Sequence, residues 1–246
     1  MPAIGLAEDP KTAFIKRNFE RDGQTLPYRL LVPKNYDAAQ KYPLVLFFHG
    51  AGERGIDNTA QLVHGMGAFS SDENREKFPC FVIAPQCPEG KRWVEVHWGD
   101  DRHDFDARPS ETMQLVIELL AAFPKEFSID LQRLYVTGLS MGGFGTWDII
   151  SRFPDKFAAA APICGGGDEK MAEKIAGVPI WAFHGDKDTV VKPSRSRNMI
   201  AAIKEAGGKP LYTEYQGVGH DSWVRAYADP ELIKWMFAQR LKRLNP

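Results

Sequence analysis

The stretch Gly138-Leu139-Ser140-Met141-Gly142 lies between an apolar run and a helical pattern. Residues 133–137 carry the apolar and β-branched side chains of a buried strand, and residues 146–153, which precede Pro154, are typical of a helix. A strand, a sharp glycine-flanked turn and a helix make up the G-x-S-x-G nucleophile elbow, in which the serine stands at the carboxyl edge of a sheet. The pattern predicts a fold organised around Ser140.

The two glycines of this turn have a steric role. A side chain at position 138 or 142 would collide with the chain as it turns, and glycine removes the collision. The turn holds Ser140 in a strained backbone conformation that exposes its hydroxyl. The start of the following helix favours negative charge beside that hydroxyl.

The composition is that of an ordinary soluble globular protein. Of 246 residues, 43% are hydrophobic and 26% are charged, and 31 basic against 32 acidic residues leave a net charge of −1. No basic run indicates nucleic acid as a partner, and apolar runs such as residues 43–48 are far shorter than the roughly 20 residues that span a bilayer. We expect one α/β domain over residues 1–246, without a membrane span.

The cysteines do not predict a metal site. Cys80, Cys87 and Cys164 lie far from any Cys-x-x-Cys or Cys/His ligand spacing, so we expect no bound metal. Cys80 and Cys87 could pair in an exported chain, although buried free thiols are the more ordinary interpretation. Residues 1–11 lack a signal-peptide pattern, so we expect a cytoplasmic protein or an exported one whose signal has been removed.

Strand-like and helix-like segments alternate through the chain. Residues 12–21 and 26–32 are strand-like runs around Asp22-Gly23, a hairpin turn signal. Further buried strands are predicted at residues 43–48, 80–84, 157–164, 178–183 and 211–215, and helices at residues 110–123, 194–206 and 230–244. The alternation predicts a mostly parallel sheet with an antiparallel N-terminal edge, helices on both faces and no separate lid domain.

Two side chains later in the chain complete the chemistry that a reactive serine requires. A serine hydroxyl becomes a nucleophile when a histidine takes its proton and a carboxylate orients that histidine. After an elbow serine, the acid and then the histidine should follow in loops after strands. Asp188 and His220 meet this order, so Ser140, Asp188 and His220 are the candidate catalytic triad.

Other histidines also follow strands. His49 and His184 each precede a glycine, and we expect both to hold loop backbone in place by hydrogen bonds. His220 is favoured as the catalytic base because it is the last histidine and lies in a glycine-flanked loop before the C-terminal helix.

The acid also has competitors. Asp186 competes with Asp188, and spacing alone separates the two only weakly. Asp221 adjoins His220, but its side chain would have to bend back to orient the imidazole ring. Both alternatives stay open on the residues alone.

A glycine-rich turn, His49-Gly50-Ala51-Gly52, follows the strand at residues 43–48. The negative oxygen that forms when a carbonyl is attacked needs two preorganised N–H donors. One should be the N–H of Met141, directly after the serine. The other should come from this turn, at Ala51 or Gly52, and we favour Ala51.

A long polar loop at residues 85–108 leaves a buried strand at the sheet edge that carries Ser140. Its tryptophans could simply cover core surface. Alternatively, Trp98, together with Trp223 beside His220, lines an open cleft for substrate. Flat aromatic walls would suit aryl or sugar-linked esters better than long acyl chains.

The chain resembles α/β-hydrolases of the phospholipase/carboxylesterase and "predicted peptidase" group, which is related to dienelactone hydrolase and to prolyl-oligopeptidase-like esterases. The matching stretches run from the first buried strand to the last loop: Phe48-His49-Gly50-Ala51-Gly52-Glu53, Gly138-Leu139-Ser140-Met141-Gly142-Gly143, His184-Gly185-Asp186-Lys187-Asp188 and Gly219-His220. The resemblance implies the α/β-hydrolase fold, and its His-Gly-x-x-Asp pattern selects Asp188 over Asp186.

The resemblance also implies an activity. It indicates a serine esterase that needs no cofactor and acts on a small-molecule carboxylic ester, with short-chain or aromatic esters favoured over long acyl chains. A small serine peptidase and a polyester depolymerase are the alternatives within the same fold, because a shared fold does not determine the substrate.

Overall fold

The computed structural model describes residues 10–241. Eight strands of this range form one sheet: β1 (Ile15–Arg21), β2 (Gln24–Leu31), β3 (Tyr42–Phe48), β4 (Phe81–Pro85), β5 (Ile129–Leu139), β6 (Ala159–Ile163), β7 (Trp181–Gly185) and β8 (Leu211–Tyr215). Their order across the sheet is β1-β2-β4-β3-β5-β6-β7-β8. The strand that ends at the serine elbow, β5, therefore lies near the middle of the sheet.

Nine α-helices connect and flank these strands in the described range: α1 (Pro10–Ala13), α2 (Gly67–Ser70), α3 (Asp72–Lys77), α4 (Glu111–Ala122), α5 (Met141–Arg152), α6 (Ala172–Ile175), α7 (Ser194–Glu205), α8 (Trp223–Ala228) and α9 (Pro230–Ala238). The sequence predicted the long helices α4 and α7. It did not predict the short helices α2, α3, α6 and α8. None of the described helices is long and apolar enough to cross a bilayer.

Strand direction follows the predicted pattern. Strands β3 to β8 pair in parallel, whereas β1 pairs with β2, and β2 with β4, in antiparallel fashion. The predicted mostly parallel sheet with an antiparallel N-terminal edge is therefore confirmed. Parallel strands are buried on both faces, which explains why every residue of β3 is buried.

The core lies on both sides of the sheet because successive side chains of a strand point to opposite faces. In β3, Leu44 and Leu46 pack into the cluster on one face, and Val45 and Phe47 pack into the cluster on the other. The three cysteines are buried free thiols: Cys80, Cys87 and Cys164.

The ends of the chain differ from the sequence prediction. Thr12 belongs to α1, and the first strand begins at Ile15. The hairpin turn at Asp22-Gly23 has positive φ at both residues, as a type I′ turn requires. The predicted helix at residues 230–244 ends at Ala238 and is preceded by α8; residues 242–244 lie outside the described range.

The carboxyl ends of the parallel strands meet at one edge of the sheet. Phe48 of β3 pairs with Gly138 of β5, and Leu139 pairs with Ile163 of β6. The segments after these three strands therefore emerge side by side. In open α/β sheets this edge is where ligands bind.

Candidate active site

Ser140 occupies the sharp turn between β5 and α5. Its φ of 54° and ψ of −118° lie outside the regions that L-residues ordinarily adopt, so the strain expected of an elbow is present. The Ser140 N–H donates to the carbonyl of Ile163 at 2.9 Å, and α5 begins with the next residue, Met141. The hydroxyl is thus held at the N-terminus of a helix, beside the end of β6.

The glycines of the elbow are required by close backbone contacts. A Cβ at position 142 would lie 2.1 Å from the carbonyl oxygen of Phe48, and one at position 138 would lie 2.5 Å from that of Gly142. Both distances are far below van der Waals contact with backbone atoms that cannot move freely. The steric role predicted for Gly138 and Gly142 is therefore confirmed.

The three predicted triad side chains lie in mutual contact. Ser140 Oγ is 2.8 Å from Nε2 of His220, and Nδ1 of the same ring is 2.7 Å from Oδ2 of Asp188. The Asp188 side chain is fully buried, whereas the His220 side chain is 20% exposed. This arrangement leaves the serine and the imidazole within reach of a substrate while the carboxylate is shielded from water.

Close contact between two loops brings Asp188 and His220 together. Gly185 at the end of β7 approaches the following loop so tightly that a Cβ there would lie 2.3 Å from the carbonyl oxygens of Val218 and Gly219. The N–H of Lys187 also donates to the Val218 carbonyl at 2.9 Å. The turn that carries Asp188 is consequently tied to the loop that carries His220.

Asp188 is surrounded by hydrogen-bond donors. Its Oδ1 accepts from the N–H groups of Val190 and Val191 at 2.9 and 3.0 Å, and its Oδ2 faces His220 and also His184, at 3.2 Å. Burial acts to raise the pKa of Asp188, but hydrogen bonds from His184, His220 and the Val191 N–H outweigh burial and hold that pKa well below its usual range. The carboxylate is therefore ionised at neutral pH.

The competing acids point elsewhere. Oδ1 of Asp186 accepts from the N–H of Gly217 at 2.7 Å and so supports the turn after β8. Asp221 is exposed, and no hydrogen bond joins its carboxylate to His220 in the described part of the chain. Of the three acids, Asp188 is the one that contacts the His220 ring.

His49 supports backbone, as the sequence predicted. Its Nδ1 lies 2.6 Å from the carbonyl of Gly50, and its Nε2 accepts from the N–H of Cys87 at 2.9 Å. Since Nε2 is an acceptor, Nδ1 carries the proton of a neutral ring. Burial lowers the pKa of His49 to about 4 despite the opposing effect of the hydrogen bond to Gly50. The segment after β3 is thereby fixed to the segment after β4.

His184 makes the predicted contact with loop backbone and two further contacts that were not predicted. It is fully buried, and Nδ1 lies 2.7 Å from the hydroxyl of Ser196 on α7. Its Nε2 lies 2.9 Å from the Val191 carbonyl, which agrees with the predicted backbone contact, but also 3.2 Å from Asp188. The contact with Asp188 could not be predicted from the sequence, because a histidine four residues before an acid is common.

The turn after β3 forms a short 3-10 helix at Ala51–Glu53. Its shape is held by Arg54, whose Nε donates to the Ala51 carbonyl at 2.8 Å, and by Gln86, which donates to the Glu53 carbonyl at 3.1 Å. Among residues 10–241, no acceptor is paired with the N–H of Ala51 or Met141. The Gly52 N–H is unpaired as well, so hydrogen bonding does not separate it from Ala51.

The loop at residues 86–110 contains no helix or strand and is anchored by Arg195, a residue that the sequence analysis missed. The Arg195 guanidinium donates to the carbonyls of Asp100 and Gly167 at 2.9 and 3.1 Å. It also lies 2.6 Å from Nδ1 of His103. No local pattern marks an arginine of α7 as an anchor for a loop far away in the chain.

Trp98 and Trp223, the two predicted substrate-binding residues, are both half-buried. The guanidinium groups of Arg92 and Arg54 lie over the Trp98 ring, 4.8 and 5.9 Å from its centroid. Through Arg54, Trp98 adjoins the turn that contains Ala51. No contact between Trp98 and Ser140 is found in the described range.

Trp223 lies directly against the catalytic histidine candidate. Its ring is perpendicular to that of His220, with ring centroids 5.3 Å apart, and it also contacts His64 at 5.4 Å. His64 was not singled out by the sequence; its Nε2 is 3.7 Å from the carboxylate of Glu53. The Trp223 ring therefore forms a wall beside His220, and His64 and Glu53 lie beyond that ring.

The chain has the features of an α/β-hydrolase-fold protein. These are a strained serine elbow at the end of a central strand and a hydrogen-bonded series of serine, histidine and aspartate. Within that class, the family pattern of dienelactone hydrolase matches residues 100–230, more than half of the chain. The chain belongs to the dienelactone hydrolase family.

Three similar proteins give the family context. A thermostable esterase of known structure is 41% identical, superposes with a TM-score of 0.86, and is matched over 93% of this chain and 64% of its own. A bifunctional acetylxylan esterase/xylanase from Neocallimastix patriciarum is 32% identical over 42% of this chain. Poly(3-hydroxyalkanoate) depolymerase C from Paucimonas lemoignei is 33% identical over 50% of this chain.

These relatives are longer than the matched region. The chain spans 15% of the acetylxylan esterase/xylanase and 28% of the depolymerase. The similarity therefore concerns one part of each relative.

Proposed function

We propose that this protein is a serine hydrolase that cleaves carboxylic esters through an acyl-enzyme intermediate. The observation that carries the proposal is the continuous hydrogen-bonded series from Ser140 Oγ through His220 to the buried Asp188 carboxylate. The thermostable esterase at 41% identity supports an ester as the substrate.

Each residue has a defined part in the reaction. Ser140 attacks the ester carbonyl while His220 Nε2 takes the hydroxyl proton, and His220 then gives that proton to the departing alcohol. Asp188 keeps the imidazole in the tautomer whose Nε2 is free to accept, and stabilises the positive charge that forms on the ring. The N–H groups of Ala51 and Met141 bind the negative oxygen of the tetrahedral intermediate. Water then releases the acid by the same steps.

We propose short-chain and aromatic esters, including sugar-linked ones, as the substrate class. Trp223 stands against His220, where the departing alcohol or the acyl group must pass, and offers a flat apolar face. Trp98 is a second candidate wall, adjoining the Ala51 turn through Arg54. Such walls stack on rings but give a long flexible acyl chain no enclosed channel.

Turnover of p-nitrophenyl acetate by the intact chain tests the proposed reaction. We expect hydrolysis by the parent protein and none above background by Ser140→Ala, whose fold circular dichroism should show to be unchanged. Losses in comparable triads are about 10⁶-fold. A fluorophosphonate probe should add its mass at Ser140, and labelling of a different serine would refute the assignment.

A second candidate is depolymerisation of a polyester, which is favoured by the 33% identity to the poly(3-hydroxyalkanoate) depolymerase. Release of soluble acid from a poly(3-hydroxybutyrate) suspension distinguishes a depolymerase from an esterase of small molecules. Hydrolysis of soluble esters without release from the polymer supports the small-molecule esterase, whereas faster release from the polymer than from soluble esters supports the depolymerase.

A further inference from the structure

Cys164, the first residue after β6, places a thiol directly behind the elbow. It is fully buried and has a φ of 40°, a conformation that turns the chain sharply at the end of the strand. Its thiol lies against the backbone of Ser140. The proposed ester hydrolysis makes no use of this thiol.

The thiol also completes a set of metal-binding donors. One donor atom each of Cys164, Asp188 and His220 lie within 4.8 Å of one another, and no other set of three or more His, Cys, Asp or Glu residues within 10–241 shares this geometry. Thiolate, imidazole and carboxylate together are the ligands that Zn²⁺ and similar soft divalent cations favour.

We propose that Cys164, Asp188 and His220 form an inhibitory binding site for a soft divalent cation such as Zn²⁺ or Cd²⁺. The effect of the cation on catalysis rests on the proposed function, but its binding does not. The site would make the hydrolase sensitive to these metals through its own catalytic side chains.

The ligand atoms need only a small rearrangement to bind such a cation. Zn–S bonds of about 2.3 Å and Zn–N bonds of about 2.0 Å place tetrahedral ligand atoms roughly 3.3–3.6 Å apart. The widest present spacing, up to 4.8 Å, must contract by about an ångström, and the 2.7 Å between Nδ1 of His220 and Oδ2 of Asp188 must widen by about 0.6 Å. His220, with a side chain 20% exposed, is the ligand that has room to move, whereas Asp188 is held by the Val190 and Val191 N–H groups.

Binding would stop the chemistry by reversing the tautomer of His220. Nδ1 faces Asp188, so a cation shared by these two residues takes the place of the Nδ1 proton. That proton moves to Nε2, where it points at Ser140 Oγ, and the ring can no longer accept the serine proton. The Cys164 thiol releases one proton to solvent as it becomes a thiolate.

The donor set also predicts selectivity. Mg²⁺ and Ca²⁺ prefer six or more oxygen ligands, and this site offers one carboxylate beside a thiol and an imidazole. We therefore expect Mg²⁺ at the same concentration to leave activity unchanged, which makes it the control for ionic effects.

Binding can be measured without any turnover. In the Ser140→Ala protein, added Cd²⁺ should produce the ultraviolet absorption band of a cadmium–thiolate bond. The band should be absent from a double variant that carries both Ser140→Ala and Cys164→Ala. Combining Ser140→Ala with Cys80→Ala instead is the matched control, because Cys80 is also a buried thiol. A band that survives Cys164→Ala, or is absent from the Ser140→Ala protein, would overturn the site whether or not the protein is an esterase.

Inhibition is measured separately, on p-nitrophenyl acetate. Each variant is compared with its own uninhibited rate, and EDTA should restore activity. We expect Cys164→Ser, which keeps the side-chain volume but is a poor zinc ligand, to raise the Zn²⁺ concentration for half-inhibition at least tenfold, while Cys80→Ala leaves it within about twofold. Equal sensitivity of Cys164→Ser and the parent would refute the proposal.

Discussion

Nε2 of His184 lies 3.2 Å from Oδ2 of Asp188, the same oxygen that His220 contacts at 2.7 Å. A fully buried imidazole thus shares this carboxylate oxygen with the ring that faces Ser140. His184 is itself held by the hydroxyl of Ser196 on α7. The orientation of the acid consequently depends on α7 as well as on its own loop.

His184→Ala should lower kcat with little change in KM. Asp188 would keep its two backbone donors but lose the contact that fixes Oδ2, and small misplacement of catalytic groups costs about 10–100-fold. Steady-state kinetics on p-nitrophenyl acetate measures the effect, with Ser196→Ala as a milder variant of the same contact. A rise in KM at constant kcat would instead indicate a role in substrate binding.

Asp188→Asn should cost about 10⁴-fold in kcat, because an amide in that place favours the wrong tautomer of His220. Asp186→Asn is the matched control. An asparagine there can still accept from the Gly217 N–H, so we expect less than a tenfold loss. The opposite order of the two kcat values would transfer the role of the acid to Asp186.

Acid should destabilise the fold through His49. In the unfolded chain this ring takes up a proton near pH 6.5, whereas burial lowers its pKa in the folded protein to about 4. Between these values the unfolded state binds more protons, so the free energy of unfolding falls as the pH falls, by about 3 kcal/mol from this group. His103, whose pKa is lowered to about 4 by burial and by Arg195, acts in the same direction.

Urea unfolding at pH 7 and pH 4.5 measures this effect. For each protein, the unfolding free energy at pH 4.5 is subtracted from that at pH 7. This difference is compared between the parent and His49→Gln, whose side chain cannot titrate. We expect the parent to lose about 2–3 kcal/mol more than the variant over this interval. Equal losses would show that the His49 ring is not responsible.

Trp98→Ala should impair the hydrolysis of aromatic esters alone, whereas Trp223→Ala should impair the hydrolysis of aromatic and simple alkyl esters alike. If Trp98 contacts only the aromatic part of a substrate, its removal lowers kcat/KM for methyl ferulate by about tenfold and spares ethyl acetate. Trp223 contacts His220, so its removal should lower the rate on both esters. The kcat/KM values of the two variants on both esters provide the test; equal losses for Trp98→Ala would assign this residue a structural role.

The elbow and the sheet could be predicted because their causes are local. A strand that precedes Gly138 and a helix that follows Gly142 force a turn whose steric needs appear within a few residues of Ser140. Continuous apolar runs likewise predicted the buried parallel strands, and Asp22-Gly23 predicted the hairpin. The missed helices are short, from four to six residues, and have too few turns to show a helical pattern.

The order of Ser140, Asp188 and His220 along the chain predicted that they would share one edge of the sheet, because loops after parallel strands emerge there. The family resemblance selected Asp188 over Asp186, but the residues by themselves left that choice open, and its physical cause is visible only in the tertiary structure. It depends on the close approach of Gly185 to the Val218 carbonyl, a contact between loops that leaves no local pattern.

The contacts around the catalytic residues likewise depend on the tertiary structure. The local sequence determined where the chain turns and which residue types stand at each turn, since backbone sterics and hydrophobic periodicity act over a few residues. Only packing between distant segments decided that His184 supports Asp188, that Arg195 anchors the loop at residues 86–110, and that the Cys164 thiol lies behind Ser140. These contacts join residues that are brought together by the crossovers of the sheet, and their energies arise from burial and hydrogen bonding that exist only in the folded chain.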